Sequence, residues 1–302
     1  MPDRVLHPVL DERAGASREA LPDRRSSSSA SGFRGRARLA DGADLAYEVH
    51  GTPGAAPPLF LIRALGGSMA LWGSFRDRLA EQRRVISFDA RGSGASAPIA
   101  GITTTRRMAR DVLALADRLG CESIDVFGQS LGGMVASWLP LDAPYRVRKL
   151  ILASTSDRGA TFTRAGLLRG LALAKTFLGP GHDIEQRLAH RVLSDRFRRD
   201  QPEDWRHVQS ILRASSTRRR ALLAHVSAGA MHDLRRRVRE ISCPVLVLAG
   251  EIDELLGIEP QQRFARRLPN ASFSIVPGSG HDVSIERPDQ TASLVLAFLA
   301  AG

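Results

Sequence analysis

Short apolar runs and segments of helical spacing take turns along this chain from Phe33 onward, and few architectures accept that order. Phe33 to Leu39 and Asp44 to Val49 flank the turn dipeptide Asp41-Gly42 and read as an opening hairpin. Leu59 to Ile62, Val85 to Phe88, Ile124 to Phe127 and Leu150 to Leu152 read as buried strands. Between them, Met69 to Gln82, Thr103 to Leu119 and Met134 to Leu139 carry helical spacing. Strands separated by helices need crossover connections, so the pattern predicts a mainly parallel sheet covered on both faces.

The alternation stops near Asp157. Residues 157–240 are helical in pattern, broken at Gly179-Pro180-Gly181 and Gln201-Pro202, and contain no convincing strand. Val245 to Leu248 and Phe273 to Val276 then resume the strand pattern, and Leu294 to Leu299 falls in a closing helix. The economical reading is an α/β fold: a mostly parallel, doubly wound sheet with a helical cap inserted after the sixth strand. The core is expected over 33–156 and 241–302, the cap over 157–240. Of the cap's apolar residues Leu167, Leu168, Leu171, Phe177, Trp205, Ile211 and Leu222, some should pack onto the core and others line a pocket. Residues 1–32, with Ser26 to Ser29 and little periodic hydrophobicity, read as a disordered tail. No apolar stretch of signal-peptide type follows Arg24-Arg25.

Composition narrows the function classes. With 43% hydrophobic and 25% charged residues and no bilayer-length apolar run, a cytoplasmic protein without a membrane segment is expected. The formal charge is +11, and Lys149 and Lys175 are the only lysines. No nucleic-acid-binding motif accompanies the arginines, so nucleic acid is not an expected partner. Runs such as Arg218 to Arg220 and Arg235 to Arg237 read as solvated faces, and the positive potential suits an anionic substrate. Cys121 and Cys243 lie outside any metal-ligand spacing; a reduced protein is the default, and a disulfide between them stays open. No metal and no organic cofactor is implied.

The chemistry concentrates in Gly128-Gln129-Ser130-Leu131-Gly132, followed by Gly133. It lies between a predicted strand and a helical segment, the context of a nucleophile elbow. A sharp strand-to-helix turn lifts the Ser130 hydroxyl beyond the sheet edge, and the small residues two before and two after let the turn close. The amino end of the next helix offers N–H groups to a developing anion.

A serine needs a base. His7 lies in the tail, His50 ends an early strand, and His182, His190, His207, His225 and His232 fall in the insertion. His281 sits in Gly278-Ser279-Gly280-His281, the loop after the last strand, where a sheet places reactive groups. The base in turn needs a carboxylate to hold its tautomer. Asp253 follows the strand Val245 to Leu248 and lies between Ser130 and His281 in the chain; Glu251, Glu254 and Asp157 remain rivals.

These residues give the chain a resemblance to the α/β-hydrolase superfamily over Phe33 to Leu299, closest to its small esterases, enol-lactonases and cofactor-free haloperoxidases. Leu61 to Ser68, Phe88 to Ser96, the elbow, and Leu248 to Asp253 with Gly278 to His281 carry the likeness. The resemblance implies Ser130, Asp253 and His281 as catalytic residues, with the backbone N–H groups of Leu65 and Leu131 as an oxyanion hole. Where the family has His-Gly before the first donor, this chain has Arg63-Ala64, and alanine restricts a conformation that glycine enters freely. Arg63 admits two readings, a bidentate partner for a substrate carboxylate or a structural salt bridge under the loop. With Gln129, it stands as a candidate substrate contact. The expected activity is hydrolysis of a small-molecule carboxylic ester or lactone. Carbon–carbon bond hydrolysis, perhydrolysis, a lyase or cyclase reaction, and non-catalytic binding of a small molecule remain open on the same scaffold.

Overall fold

A computed structural model of the chain describes residues 32–99, 101–159, 184–214 and 219–301. Residues 1–31 of the tail, with His7, and His182, Leu167, Leu168, Leu171 and Phe177 lie outside the described residues. Eight strands form one sheet: β1 Phe33–Arg38, β2 Asp44–His50, β3 Leu59–Ile62, β4 Val85–Phe88, β5 Ile124–Gln129, β6 Val147–Ala153, β7 Val245–Gly250 and β8 Ala271–Val276, in the order 1-2-4-3-5-6-7-8. β1 and β2 form the expected hairpin, with Arg38 opposite Asp44, and β2 runs antiparallel to β4. From β4 to β8 every pairing is parallel.

Strand side chains alternate between faces, and two cores result. Phe60, Ile62, Val126, Leu150, Leu152 and Val247 meet Val112 and Leu115 of helix α2 (Thr105–Arg118) and Val135 of α3 (Leu131–Ala136). Leu59, Leu61, Phe127, Ile151 and Leu248 face the other way, onto Phe75 and Leu79 of α1 (Gly73–Ala80) and onto Val295 and Leu299 of the closing helix Pro288–Ala300. Burial on both faces explains why β3 to β7 read as apolar runs and not as alternating ones. Cys121 and Cys243 are free and buried in the first core, and burial pushes each thiol up to about 11.

Two helices depart from the sequence expectation. Met69 to Gln82 is a 3-10 turn, Met69–Trp72, followed by α1, because Gly73 at φ 40° breaks the run. The helix expected from Met134 starts at Leu131. Gly132 and Gly133 weaken the helical signal there, but both are required by packing, as described below.

Between β6 and β7 the described residues form the helices Ile184–Val192, Asp195–Asp200, Pro202–Ala214 and Arg219–Ala230. They carry a small core of their own, in which Leu193, Phe197, Val208 and Leu212 pack with Leu71 and Ile285 of the main body. Trp205 and Ile211 pack against that cluster, while Leu222 pairs with Ile184 against Leu65.

Candidate active site

Ser130 follows the last residue of β5 and precedes α3, with φ 56° and ψ −116°. A side chain seldom adopts that region. Here the turn is held from both sides: Ser130 N–H donates to Ala153 O at 2.8 Å, and its carbonyl accepts from Gly133 N–H at 2.9 Å. The flanking glycines are explained by backbone contact. A Cβ at Gly128 would press on Gly132, and one at Gly132 would meet the carbonyl oxygens of Ile62 and Arg63. At Gly133 it would collide with Thr155.

The loops after β7 and β8 bring two more groups to that turn. His281 Nε2 lies 2.8 Å from Ser130 Oγ, and its Nδ1 lies 2.9 Å from Asp253 Oδ2. Both His281 and Asp253 are 5% exposed. Asp253 Oδ1 accepts from the N–H groups of Leu255 and Leu256, at 3.0 and 2.9 Å, and Oδ2 also accepts from Gln261 Nε2 at 3.1 Å. Burial raises the Asp253 pKa, but His281 and the two backbone donors outweigh it and hold the carboxyl below its usual range. Burial likewise opposes a charged His281, yet the carboxylates of Asp253, Asp282 and Glu286 prevail, and the imidazole pKa is raised.

The rival acids lie elsewhere. Glu251 accepts from Gly278 N–H at 2.7 Å, Asp157 pairs with Arg267, and Glu254 is exposed. Of the other histidines, His50 meets Glu48, His190 packs edge-on to Trp205, and His232 bonds Thr105. His225 lines the same cavity as Ser130 and His281.

Of the two tentative substrate contacts, Gln129 requires correction, while Arg63 lines the cavity with its charge already partnered. Arg63 is buried, with Nη2 at 2.5 Å from Asp282 Oδ2, Nη1 donating to Ser284 Oγ at 2.9 Å, and its guanidinium 4.5 Å from the Trp72 ring centroid. Its charge is neutralised inside the protein, as the salt-bridge reading had it. Gln129 is fully buried and donates through Nε2 to His281 O at 2.7 Å. It therefore braces the histidine loop from behind and does not line the cavity.

The backbone N–H groups of Leu65 and Leu131 meet no acceptor among the described residues, and both residues line the cavity beside Ser130. Alanine at 64 costs nothing in backbone strain, because the positive φ of this loop falls on Gly66, at 70°. Sequence reasoning missed Glu286. This buried carboxylate accepts from Gly280 N–H and Ser194 N–H, each at 2.9 Å, and from Ser194 Oγ at 2.5 Å. It thereby joins the histidine loop to the capping residue of the insertion's helix Asp195–Asp200. No local pattern marks such a residue.

The cavity over Ser130 has a volume of about 930 Å³. A serine–imidazole–carboxylate chain at its floor, its histidine and aspartate buried, with two N–H groups adjacent that are unpaired among the described residues, can carry a proton and hold an anion. Residues 57–288 match the family model described as alpha/beta hydrolase fold, and the chain belongs to that family: it is a hydrolase acting on small molecules. It is 30% identical over 270 residues to a protein named as the carbamate hydrolase RutD of Caulobacter sp. strain K31, covering 85% of this chain and 96% of the relative. It is 28% identical over 236 residues to 3-oxoadipate enol-lactonase 2 of Acinetobacter baylyi, covering 77% and 84%. Among solved structures, a thermophilic esterase from Thermogutta terrifontis superposes with a TM-score of 0.76 at 26% identity, covering 88% of this chain and 98% of the other. Among the described residues no helix is long and apolar enough to cross a membrane.

Proposed function

We propose that this hydrolase cleaves a carboxylic ester or lactone through an acyl-enzyme on Ser130. The observation that carries the reading is the unbroken chain from Ser130 Oγ to His281 at 2.8 Å and on to Asp253 at 2.9 Å. Ser130 Oγ bonds to the carbonyl carbon while its proton passes to His281 Nε2. The carbonyl oxygen, now an anion, takes hydrogen bonds from the N–H groups of Leu65 and Leu131. As the C–O bond to the leaving group breaks, His281 returns the proton to the alkoxide. In a lactone that alcohol stays attached to the acyl chain. Water then attacks the acyl-enzyme, His281 takes its proton, and the acid departs as Ser130 recovers its hydrogen. Asp253 holds the proton-donating side of the ring toward itself and supports the imidazolium. The relatives named as an enol-lactonase and an esterase support the substrate class.

A fluorophosphonate probe followed by peptide mapping tests the assignment. Labelling at Ser130 that vanishes in Ser130→Ala, together with turnover of esters or lactones of graded acyl size, is the expected result. A folded wild type that neither labels nor turns over any of them would overturn it.

A further inference from the structure

The lining of the cavity over Ser130 is of two chemical kinds. Beneath the cap helices the wall is apolar, built from Leu71, Leu188, Val192, Val208 and Leu212. A second part of the lining, the polar arm, comprises Ser154 to Gly159 as the chain leaves β6 and residues of the helix Ile258–Arg267. That arm is basic: Arg158, Arg235, Arg263 and Arg267 line it, against Asp157 and Glu259.

Three of these guanidiniums have carboxylate partners. Arg267 pairs with Asp157, Arg263 with Glu259, and Arg235 with Asp233 at 2.6 Å. Arg158 is left over. It is half-buried, and among the described residues its side chain forms no ion pair and donates no hydrogen bond, although the neighbouring Asp157, already paired with Arg267, feels its charge. Its backbone is nevertheless fixed, by a bridge to Asp233 and by Ser156 Oγ donating to its carbonyl at 2.7 Å. A held backbone with an unpaired guanidinium facing a cavity is a preorganised anion receptor.

The same strip holds two more unpaired polar groups. Both Ser154 and Thr155 contribute to the cavity lining, are 1% exposed, and bury hydroxyl oxygens that have no partner among the described residues. Burying a hydroxyl without a partner is costly. Ser154 is held at φ 49°, a strained backbone value, while its N–H donates to Leu248 O at 2.8 Å. The strip begins beside the nucleophile, since Ala153 O accepts the Ser130 N–H. Four residues span at most about 14 Å when fully extended, which bounds the separation along the arm.

We infer that this arm binds a carboxylate on the acyl side of the substrate, with Arg158 supplying the charge. The substrate class is then an ester or lactone with a carboxylate at one end and its apolar leaving group beneath the cap. This rests on the hydrolase reading above. A guanidinium fork matches a carboxylate in geometry as well as charge, and the chain's net charge of +11 favours the encounter.

The test pairs 4-nitrophenyl half-esters of linear dicarboxylic acids, succinic to suberic, with neutral alkanoate esters of equal chain length. Wild type is expected to favour the half-ester at one chain length by about tenfold or more in kcat/KM. Arg158→Gln should abolish that preference and Arg158→Lys retain part of it. Arg206→Gln removes the same charge from the cap's exposed surface and should leave the ratio where it was. No preference in wild type at any length, or an unchanged ratio in Arg158→Gln, overturns the inference. Inhibition of wild type by free dicarboxylates but not by equal-length monocarboxylates gives the same answer without a variant. If no ester is turned over at all, the hydrolase reading fails separately. Calorimetric titration of suberate into folded wild type and Arg158→Gln then decides the arm: binding lost in the variant upholds it, and no binding to wild type refutes it.

Discussion

Asp253→Asn keeps the size of the side chain and changes only a charge and an acceptor, so its effect can be worked from the groups around it. The N–H groups of Leu255 and Leu256 point at Oδ1, at 3.0 and 2.9 Å, and fix an asparagine's carbonyl oxygen there. The new NH2 then occupies the Oδ2 position, facing Gln261 and His281. Gln261 can turn its amide over, since its Oε1 has no partner, at the expense of its 3.0 Å bond to Gly257 O. His281 has no such escape. Facing a donor, Nδ1 must be the bare nitrogen, which puts the ring proton on Nε2, aimed at Ser130 Oγ. That tautomer cannot accept the serine's proton. The expected loss in kcat is about ten-thousand-fold, equivalent to about 5.4 kcal/mol of activation free energy. The assay is steady-state hydrolysis of a small neutral aryl ester, with circular dichroism to confirm the fold. Retention of more than a tenth of the wild-type kcat would refute the reasoning and leave Asp253 a bystander.

The base must be neutral to act, and its pKa is raised, so kcat/KM should fall on the acid side of a limb centred above the usual histidine value of about 6.5. A pH–rate profile with its acid limb below that value contradicts the field described for His281. Glu286→Ala strands the donors at Gly280 and Ser194 and removes one of the charges that raise the imidazole pKa. It should lower stability by about 1–3 kcal/mol and move the acid limb to lower pH, read by thermal melting and the same profile. Arg63→Met leaves Asp282 buried and without its cation, so chemical denaturation should show a loss of about 3–5 kcal/mol. Gly132→Ala drives a methyl into the Ile62 and Arg63 carbonyls and should cost about 1–3 kcal/mol, measured the same way.

What could be read from sequence was what is local or ordered along the chain. The elbow is a run of six residues, and its strand and helix adjoin it, so its geometry is written in one place. His281 and Asp253 were legible through their positions just past strands. The partnerships that arm them were not. Gln129 reaches His281 across 152 positions, Arg63 reaches Asp282 across 219, and Glu286 reaches Ser194 across 92. No periodicity records such pairings, because they are created by the sheet order that places β3, β5 and β7 at one rim. Arg63 shows the consequence: residue type left a ligand contact and a salt bridge both open, and only the fold reveals its pairing with Asp282 beside Trp72.

The missing side chain at Gly132 has an effect beyond permitting a tight turn. The segment bearing Leu65 and the helix bearing Leu131 are tied through direct main-chain abutment, with nothing between them that can change rotamer or be swapped for a different size. Their spacing is thus insulated from the composition of the chamber above. Walls of the chamber can drift and retune which molecule is accepted while the N–H groups proposed to stabilise charge stay in register. A scaffold built this way can change diet without relearning its chemistry.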